Sequence, residues 1–345
     1  MGSLKNIFQR TATYPPLTNL ATRLLPPSVT IFMLHRLAVP ELDVEGHSVA
    51  HIRNCLDYLE QNNYRFISID DAVRRSQSNE LGREKWVAFT LDDGFEEQVR
   101  VGADIFKQYD CPTTCFLVTD FVDGKLWPWD YKLMYLAKHA AARTIQVEID
   151  GVKHSIEMGT ERTKMFLLRF ARQIASESVE RVVQLIAHAA GIDIPDTPPP
   201  SMQPTTWQAV REAEKKGMQF GPHSARHFIL SRTQDATLSD EIERSSRRIR
   251  EECSRPSSVF CYPSGKAHEF DARSFPLIRT QGLHSAVTTE PGYLEQDDAQ
   301  RYGNYHFVLP RLGLPDDFEE FKLYTSWAQR VRERFEKTQL QQFYS

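Results

Sequence analysis

The chain has 345 residues, of which 41% are hydrophobic, and this is enough to bury one large core or two modest ones. Its 42 basic and 46 acidic residues give a formal net charge of −4, so the charge balance provides no case for nucleic-acid binding. No stretch approaches the roughly 20 apolar residues that a transmembrane helix requires.

The N-terminal segment and the cysteines bear on the cellular compartment. Met1–Gln9 contains one lysine and no apolar run, so it does not look like a secretory signal, and we expect a cytoplasmic protein. Residues 4–25 can form a weak amphipathic helix that touches a membrane surface; an arm packed on the protein itself is the alternative that we favour. The five cysteines are irregularly spaced, which predicts reduced, buried thiols.

Short apolar runs alternate with helical patterns along much of the chain. The runs predict strands at Thr30–Leu34, Tyr64–Ile69, Trp86–Leu91, Thr113–Val118, Gly217–Phe220, Ser258–Tyr262 and His284–Thr288. Apolar residues at helical spacing predict helices at His51–Gln61 and Ile69–Arg75, and between Gly94 and Tyr109. Near-continuous strands separated by helices are typical of a parallel sheet covered on both faces. About seven such units predict a closed or nearly closed β/α barrel.

The alternation stops between Gly124 and Pro204. This region contains a hairpin pattern around Asp150-Gly151, a helix that ends at Gly191 and a proline-rich connector, and we read it as an insertion in the barrel. The predicted organisation is an N-terminal arm over residues 1–29, a barrel over 30–330 with an insertion at about 125–204, and a C-terminal tail over 331–345.

Polar residues follow three of the predicted strands. They are Asp92-Asp93-Gly94, the pair His223 and His227, and Pro263-Ser264-Gly265. Because functional groups gather at the carboxyl ends of parallel strands, we expect all three to face one cleft.

The two histidines are four residues apart, which we expect to place both rings on one side of a helical turn as ligands of one ion. A carboxylate from a separate strand end would complete a set of two histidines and one carboxylate, with positions left open for water or substrate. Since adjacent strand residues point to opposite sides, one of Asp92 and Asp93 can bind metal while the other accepts a proton. Capping of the following helix is the structural alternative for one aspartate.

These motifs resemble those of the polysaccharide deacetylase family, the NodB-homology group of carbohydrate esterases related to family 4. Phe89–Gly94 is similar to its Thr-Phe-Asp-Asp-Gly motif, with Leu91 in place of phenylalanine. His223–His227 is similar to its His-Ser/Thr-x-x-His motif, and Phe260–Gly265 to its third motif. Ile31–Arg36 resembles the first strand of the exopolysaccharide-biosynthesis branch. The resemblance spans about residues 30–314, without much of the insertion.

The resemblance implies a distorted (β/α)7 barrel of the NodB-homology type with a helical insertion. It also implies hydrolysis of an N-acetyl group on an amino-sugar glycan or glycolipid intermediate of surface-polysaccharide metabolism. By position, Asp93, His223 and His227 become ligands of a divalent metal ion, Zn²⁺ first and Co²⁺, Ni²⁺ or Mn²⁺ as alternatives. Asp92 becomes the general base, and the backbone N–H of Ser264 contacts the oxyanion.

The sequence also departs from the family's pattern at Cys261, at Ser264 and in a later motif. Many members have an arginine at the position of Cys261, where it orients the catalytic aspartate, and an aromatic residue at that of Ser264. Arg311 is the predicted replacement for that arginine, and Lys266 is the alternative. The later Leu-x-His motif, which supplies the general acid, is not recognisable. The candidate acids are His284, His306, His268 and His35.

Other functions stay open at this point. Two histidines and one carboxylate also hold Fe²⁺ in oxygenases, although those carry a His-x-Asp spacing that is not present here. A non-catalytic glycan-binding homologue and a deformylase of a lipid-linked amino sugar are the further alternatives. Trp127 and Trp129 can stack on a sugar face or form the small core of the insertion.

Overall fold

The computed structural model describes residues 24–335 and 339–344, so most of the predicted N-terminal helix lies outside the described residues. The first part of the chain contains β1 (Ser28–Leu34), α1 (Val49–Gln61), β2 (Tyr64–Phe66), α2 (Ile69–Gln77), β3 (Lys85–Asp93), α3 (Glu96–Arg100), α4 (Gly102–Gln108) and β4 (Thr113–Leu117). The strands and helices predicted here are confirmed. Ser68 caps α2 by accepting the N–H of Asp71, which is why β2 ends earlier than predicted.

The middle of the chain is mostly helical and contains one hairpin. Its elements are α5 (Thr119–Val122), α6 (Trp129–His139), β5 (Arg143–Ile149), β6 (Val152–Met158), α7 (Thr163–Ala171) and α8 (Val179–Ala190).

The last part of the chain returns to alternating helices and strands. It contains α9 (Trp207–Lys215), β7 (Gln219–Pro222), α10 (Asp235–Glu252), β8 (Val259–Cys261), α11 (Ser274–Thr280), β9 (Ser285–Val287), β10 (Leu294–Glu295), α12 (Gln296–Arg301), β11 (Leu312–Gly313), α13 (Phe318–Tyr324) and α14 (Trp327–Phe335). Short 3-10 helices cover Pro40–Leu42, Ser176–Ser178, Pro200–Met202, Leu230–Arg232, Tyr305–Phe307 and Gln339–Phe343.

The strands curl into a distorted barrel. β1, β3, β4 and β7 are parallel neighbours, β11 adds to β1 in parallel, and β10 pairs with β1 in the antiparallel sense. β8 and β9 form a second parallel pair. Single bridges join this pair to the rest, from Phe220 to Pro256 on one side and from Val287 to Leu309 on the other. Strands β1, β3, β4, β7, β8, β9 and the segment 309–313 thus complete the ring, which confirms the predicted fold class.

Burial on both faces explains why the strands read as continuous apolar runs. All five residues of β4 are buried, and β3 is buried from Val87 to Asp93. α1 buries the predicted stripe Ile52, Cys55, Leu56 and Leu59 against the sheet. All five cysteines are buried and unpaired, as predicted. The carboxyl ends of the strands are therefore held by closely packed layers on both sides.

The insertion has its own apolar core, formed between α6, α7, α8 and the β5–β6 hairpin. Asp150 and Gly151 have φ values of 51° and 80°, as a two-residue hairpin turn requires. Two residues from the barrel, Phe228 and Ile229, pack into the same core directly after His227. The insertion is thus fixed to the loop that carries the histidine pair. The limits drawn for the arm, insertion and tail stay a prediction.

Within residues 24–335 and 339–344, no helix combines the length and the apolar character needed to cross a lipid bilayer.

Candidate metal centre and active site

The two adjacent aspartates end strand β3 inside the protein. The side chains of Asp92 and Asp93 are 1% and 2% exposed. Asp93 and Gly94 have φ values of 87° and 91°, so the strand turns sharply there, and both carboxylates reach the ring of His223. A Cβ atom on Gly94 would lie 2.7 Å from the Leu117 side chain, which explains the glycine.

The side chain of Gln98 holds this turn in place. Its Oε1 accepts the backbone N–H groups of Gly94 (3.0 Å) and Phe95 (2.9 Å). Its Nε2 donates to the backbone carbonyls of Asp92 and His35, which ties the ends of β3 and β1 together. Gln98 thus satisfies the N–H groups directly before α3, and neither aspartate side chain caps that helix, so the capping alternative for the aspartates is wrong.

The loop that carries the histidine pair, residues 223–227, is not a helical turn, so that prediction is wrong. Ser224 and His227 have φ values of 61° and 62°. The buried Glu241 carboxylate accepts the backbone N–H groups of the two residues before His227, at 3.0 and 2.8 Å. Because these N–H groups bind a side chain instead of a helix carbonyl, the loop is left irregular, yet both imidazoles still point inward.

Three potential metal ligands meet in the buried site. Asp93 Oδ1 lies 3.5 Å from His223 Nε2 and 3.4 Å from His227 Nε2. The other nitrogen of each ring is already paired: His223 Nδ1 with the carbonyl of Cys261 (2.8 Å) and His227 Nδ1 with Asp130 Oδ1 (3.1 Å). Each Nδ1 donates its proton to an oxygen, so a neutral ring turns the lone pair of Nε2 toward Asp93.

This donor set fits a divalent cation. With neutral rings, three acceptor atoms face one another with no proton between them, which is unfavourable unless a positive charge lies there. Tetrahedral Zn²⁺ has bonds of about 2.0–2.1 Å, which puts neighbouring ligands about 3.4 Å apart, as found here. Metal-binding histidines also commonly donate their second N–H to a carboxylate or a carbonyl. The site is therefore a buried candidate metal centre.

The electrostatics of the site agree with that assignment. Burial raises the pKa of Asp93, but its interactions with the neighbouring His223 and His227 hold this pKa well below its usual range. Burial lowers the pKa of His227, yet the neighbouring carboxylates Asp130 and Asp93 raise it to about 9. Without a metal ion, a proton on His227 therefore supplies the positive charge that the carboxylates require.

Residues of the insertion complete the surroundings of the proposed ligands. The Tyr131 hydroxyl donates to Asp93 Oδ2 at 2.5 Å, and burial raises the pKa of Tyr131 well above its usual value, so it remains a donor. Trp129 Nε1 donates to the carbonyl of His227 at 2.8 Å. With Asp130 on the His227 ring, three consecutive residues at the start of α6 contact two proposed ligands.

Sequence reasoning did not identify Asp130 or Tyr131. The sequence feature that could have pointed to them is the aromatic-rich segment Trp127-Pro128-Trp129-Asp130-Tyr131. It contains a single aspartate and lies where the alternation of strands and helices stops. Trp127 and Trp129 are 2% and 1% exposed, so both belong to the interior and not to an open sugar-binding face.

Arg311 lies against Asp92, where the predicted orienting arginine would have to be. The fully buried guanidinium donates from Nη1 to Asp92 Oδ1 (2.8 Å) and from Nη2 to Asp92 Oδ2 (2.7 Å). Further donor contacts reach Thr90 Oγ1, the Thr288 carbonyl and Cys261 Sγ. Burial raises the pKa of Asp92, but the charge and hydrogen bonds of Arg311 lower it below the ordinary value.

The other predicted groups take different positions. Lys266 Nζ donates to the carbonyl of Thr289 (3.1 Å), so the alternative orienter is engaged elsewhere. Ser264 and Gly265 form a turn at the carboxyl end of β8, with φ values of 58° and 68°. Among the residues that the structure describes, none accepts a hydrogen bond from the backbone N–H of Ser264.

One of the four candidate general acids approaches the aspartates. His35 follows β1, and its Nε2 lies 4.0 Å from Asp92 Oδ2. His284 and His306 precede β9 and Leu309 respectively, which places both at the amino ends of their strands, away from the aspartates. His268 is exposed in the loop after β8, where its carbonyl accepts from a serine hydroxyl.

Comparisons with known proteins give a family match over part of the chain and a fold for most of it. Residues 183–285 match the family model described as polysaccharide deacetylase. The structure is similar to Streptococcus pyogenes deacetylase PplD in complex with acetate, with TM-score 0.57, 17% identity, and 87% of this chain and 99% of that chain covered. It is also similar to IcaB from Ammonifex degensii, with TM-score 0.55, 15% identity, and 88% and 98% covered. A de-N-acetylase from Aggregatibacter actinomycetemcomitans gives TM-score 0.52, 13% identity, and 86% and 99% covered.

No curated protein gives a significant match to this chain. At these identities the solved structures establish the shared barrel fold. The family model covers the histidine loop and the turn after β8, and the aspartates of β3 meet that loop in space. Residues 183–285 are thus similar to the polysaccharide deacetylase family, the same family that the motifs resemble, and the solved structures share the barrel fold of this chain.

Proposed function

We propose that this protein is a metal-dependent de-N-acetylase that acts on an N-acetylated glycan or glycolipid in surface-polysaccharide metabolism. The observation that carries the proposal is the convergence of Asp93 Oδ1 with the Nε2 atoms of His223 and His227, beside the Asp92 carboxylate. The family description supports a polysaccharide substrate, and the similar structures include a deacetylase with acetate bound and a de-N-acetylase.

Asp93, His223 and His227 are the proposed ligands of the ion. Zn²⁺ is our first choice, and Co²⁺, Ni²⁺ and Mn²⁺ suit the same mixture of imidazole and carboxylate. Such an ion polarises an amide carbonyl and lowers the pKa of water toward about 7. The protein's part is to hold the three donor atoms and to shield them from water, since all three residues are at most 5% exposed.

Asp92 is the proposed general base. Its lowered pKa keeps it ionised at neutral pH, so it can accept a proton from the attacking water. Arg311 grips both carboxylate oxygens and fixes the plane of the group, while each oxygen keeps a further lone pair. Removal of Arg311 would leave the base buried but unoriented.

The backbone N–H of Ser264 is the proposed donor to the oxyanion that develops on the acetyl carbonyl. It lies in the turn directly after β8, whose last residue, Cys261, also contacts the arginine that holds Asp92. Backbone donors of this kind stabilise charge because they need no reorganisation during the reaction.

The test is acetate release from N-acetylglucosamine oligomers by metal-stripped protein before and after addition of Zn²⁺ or Co²⁺. We expect activity only with metal, and a loss of at least about a hundredfold in Asp92→Asn. Asp104→Asn, which removes an exposed carboxylate paired with Lys216, is the matched control and should keep full activity. Equal activity of Asp92→Asn and wild type would refute the role of Asp92.

The same experiment separates the alternatives. Release of formate from N-formylated analogues in preference to acetate would identify a deformylase. Tight binding of the oligomers without turnover under any metal would identify a glycan-binding homologue. Bound iron in the purified protein, with oxygen consumption, would favour the oxygenase instead.

A further inference from the structure

A pair of opposite charges lies where the insertion meets the barrel. Arg172 directly follows α7 in the insertion, and Glu269 lies in the loop after β8. Arg172 Nε lies 3.6 Å from Glu269 Oε1, which is too far for a hydrogen bond. Both atoms are buried, and among the residues that the structure describes neither has a hydrogen-bond partner. Buried polar atoms normally have one, so this pair needs an explanation.

Glu269 is held firmly in this position. Its backbone N–H donates to the carbonyl of Lys266 (2.8 Å), and its backbone carbonyl accepts the N–H of Ser231 (3.0 Å). Its Oε2 accepts the backbone N–H of Lys266 (3.0 Å), two residues after Ser264, whose N–H is the proposed oxyanion donor. The remaining carboxylate oxygen, Oε1, is therefore fixed next to the turn that borders the proposed active site.

Arg172 is held from the opposite side, by the insertion. Its backbone N–H donates to the carbonyl of Leu168 (3.1 Å), and α7 packs in the core that includes Phe228 and Ile229. Burial lowers the pKa of His227 and the charge of Arg172 adds to this effect, against the carboxylates that raise it, so the guanidinium lies near the proposed metal centre. The Arg172 side chain is 40% exposed, so its outer part reaches the solvent.

The chemistry of the two unpaired atoms limits what they can bind. A guanidinium only donates hydrogen bonds and a carboxylate only accepts them, whereas a hydroxyl group does both. One hydroxyl oxygen can therefore accept the Nε–H of Arg172 and donate its own proton to Glu269 Oε1. Water can bridge the pair in the same way, and a sugar hydroxyl that takes its place reproduces both hydrogen bonds. An anion is disfavoured, because the Glu269 carboxylate repels it.

We propose that Arg172 and Glu269 form a subsite for a sugar residue next to the N-acetylated one, an assignment that rests on the proposed deacetylase function. The ligand is a neutral sugar of a glycan chain, and one of its hydroxyl groups bridges the two side chains. The N-acetylated residue then lies toward the proposed metal ligands. Because the insertion supplies one half of the subsite and the barrel the other, the site selects a glycan chain over a single amino sugar.

The test is calorimetric titration with N-acetylglucosamine and with its pentamer. The parent protein is Zn²⁺-loaded Asp92→Asn, in which slow turnover permits a titration. Adding Arg172→Met should raise the Kd of the pentamer about tenfold, because a hydrogen bond to a charged group is lost, and change the Kd of the monosaccharide less than about twofold. Glu269→Gln keeps the size of the side chain and removes its charge, so it should also weaken pentamer binding.

Arg181→Met is the matched control, because Arg181 is an exposed arginine of the same insertion that pairs with Asp150 (2.7 Å). This control should bind both saccharides as the parent protein does. Unchanged pentamer affinity in Arg172→Met and Glu269→Gln, equal losses for the monosaccharide, or no pentamer binding by the parent protein would overturn the subsite.

Acetate release by wild-type protein, measured in parallel with Zn²⁺ or Co²⁺, separates this proposal from the proposed function. If the variants lose pentamer affinity as expected but wild type releases no acetate, the pair binds a glycan and the deacetylase proposal is wrong. If wild type releases acetate and the variants bind the pentamer as tightly as the parent protein, the deacetylase proposal stands and the subsite is wrong.

Discussion

Asp130 lies outside the proposed ligand set, yet we expect it to control metal affinity. Its Oδ1 accepts from His227 Nδ1 at 3.1 Å, so it fixes the ring and directs the Nε2 lone pair toward Asp93. Loss of such an outer partner typically weakens metal binding 10- to 100-fold. Asp130→Asn keeps an oxygen acceptor but loses the charge, so we expect about tenfold, or about 1.4 kcal/mol. Asp130→Ala loses both, so we expect about a hundredfold, or about 2.7 kcal/mol.

The measurement is a competition titration of metal-free protein with Zn²⁺ against a chromophoric chelator. Glu180→Gln is the matched control, because Glu180 pairs with Lys132 (2.7 Å) in the same insertion instead of contacting a proposed ligand. This control should bind Zn²⁺ as tightly as wild type. If Asp130→Ala binds Zn²⁺ within twofold of wild type while its thermal stability is unchanged, the assigned role of the insertion at the site is wrong.

Three further predictions concern the same cluster. Arg311→Met should lower the free energy of unfolding in urea by about 3–5 kcal/mol, because the buried Asp92 carboxylate loses its partner. Adding Asp92→Asn to this variant should recover much of the lost stability. If the double variant is no more stable than Arg311→Met, the pairing is not what stabilises these two residues. Tyr131→Phe should weaken Zn²⁺ binding about tenfold in the same titration, since Asp93 Oδ2 loses a donor; unchanged affinity would show that this bond is dispensable. The raised pKa of His227, about 9 against 6.5 in the unfolded chain, stabilises metal-free protein fully below pH 6.5, and this stabilisation is lost as the pH rises through 9. Zn²⁺ binding at pH 7.5 should therefore release about one proton, visible as a buffer-dependent enthalpy in calorimetry.

The strands and helices of the barrel could be predicted from the sequence because their buried residues recur at a regular spacing within each element. The apolar stripe from Ile52 to Leu59 predicted α1, and the apolar run before Asp92 predicted β3. By contrast, β10 and β11 are two residues long, too short for any period to show. They form because β1 supplies hydrogen-bond partners for their backbones. The sequence of β10 or β11 alone contains no sign of this pairing.

The histidine loop shows where spacing alone misleads. A separation of four residues suits a helix, but the loop takes its shape from Glu241, a side chain 15 and 16 residues further along whose carboxylate accepts two of the loop's N–H groups. The pairing of Asp92 with Arg311 spans 219 residues and was expected only through the family resemblance. Asp130 and Tyr131 reach the site from the insertion, 97 residues from His227 and 38 from Asp93, so only the folded chain reveals them.

The contacts of the insertion also link metal binding to local unfolding of the chain. Phe228 and Ile229 belong to the insertion core, and Trp129, Asp130 and Tyr131 brace two proposed ligands. Opening of the insertion would release His227 and Asp93 together, so by linkage an ion held there protects the insertion from hydrogen exchange and proteolysis. The insertion is thus a working part of the proposed metal centre. A transplant of the barrel motifs onto another scaffold would need to carry this helical unit with them.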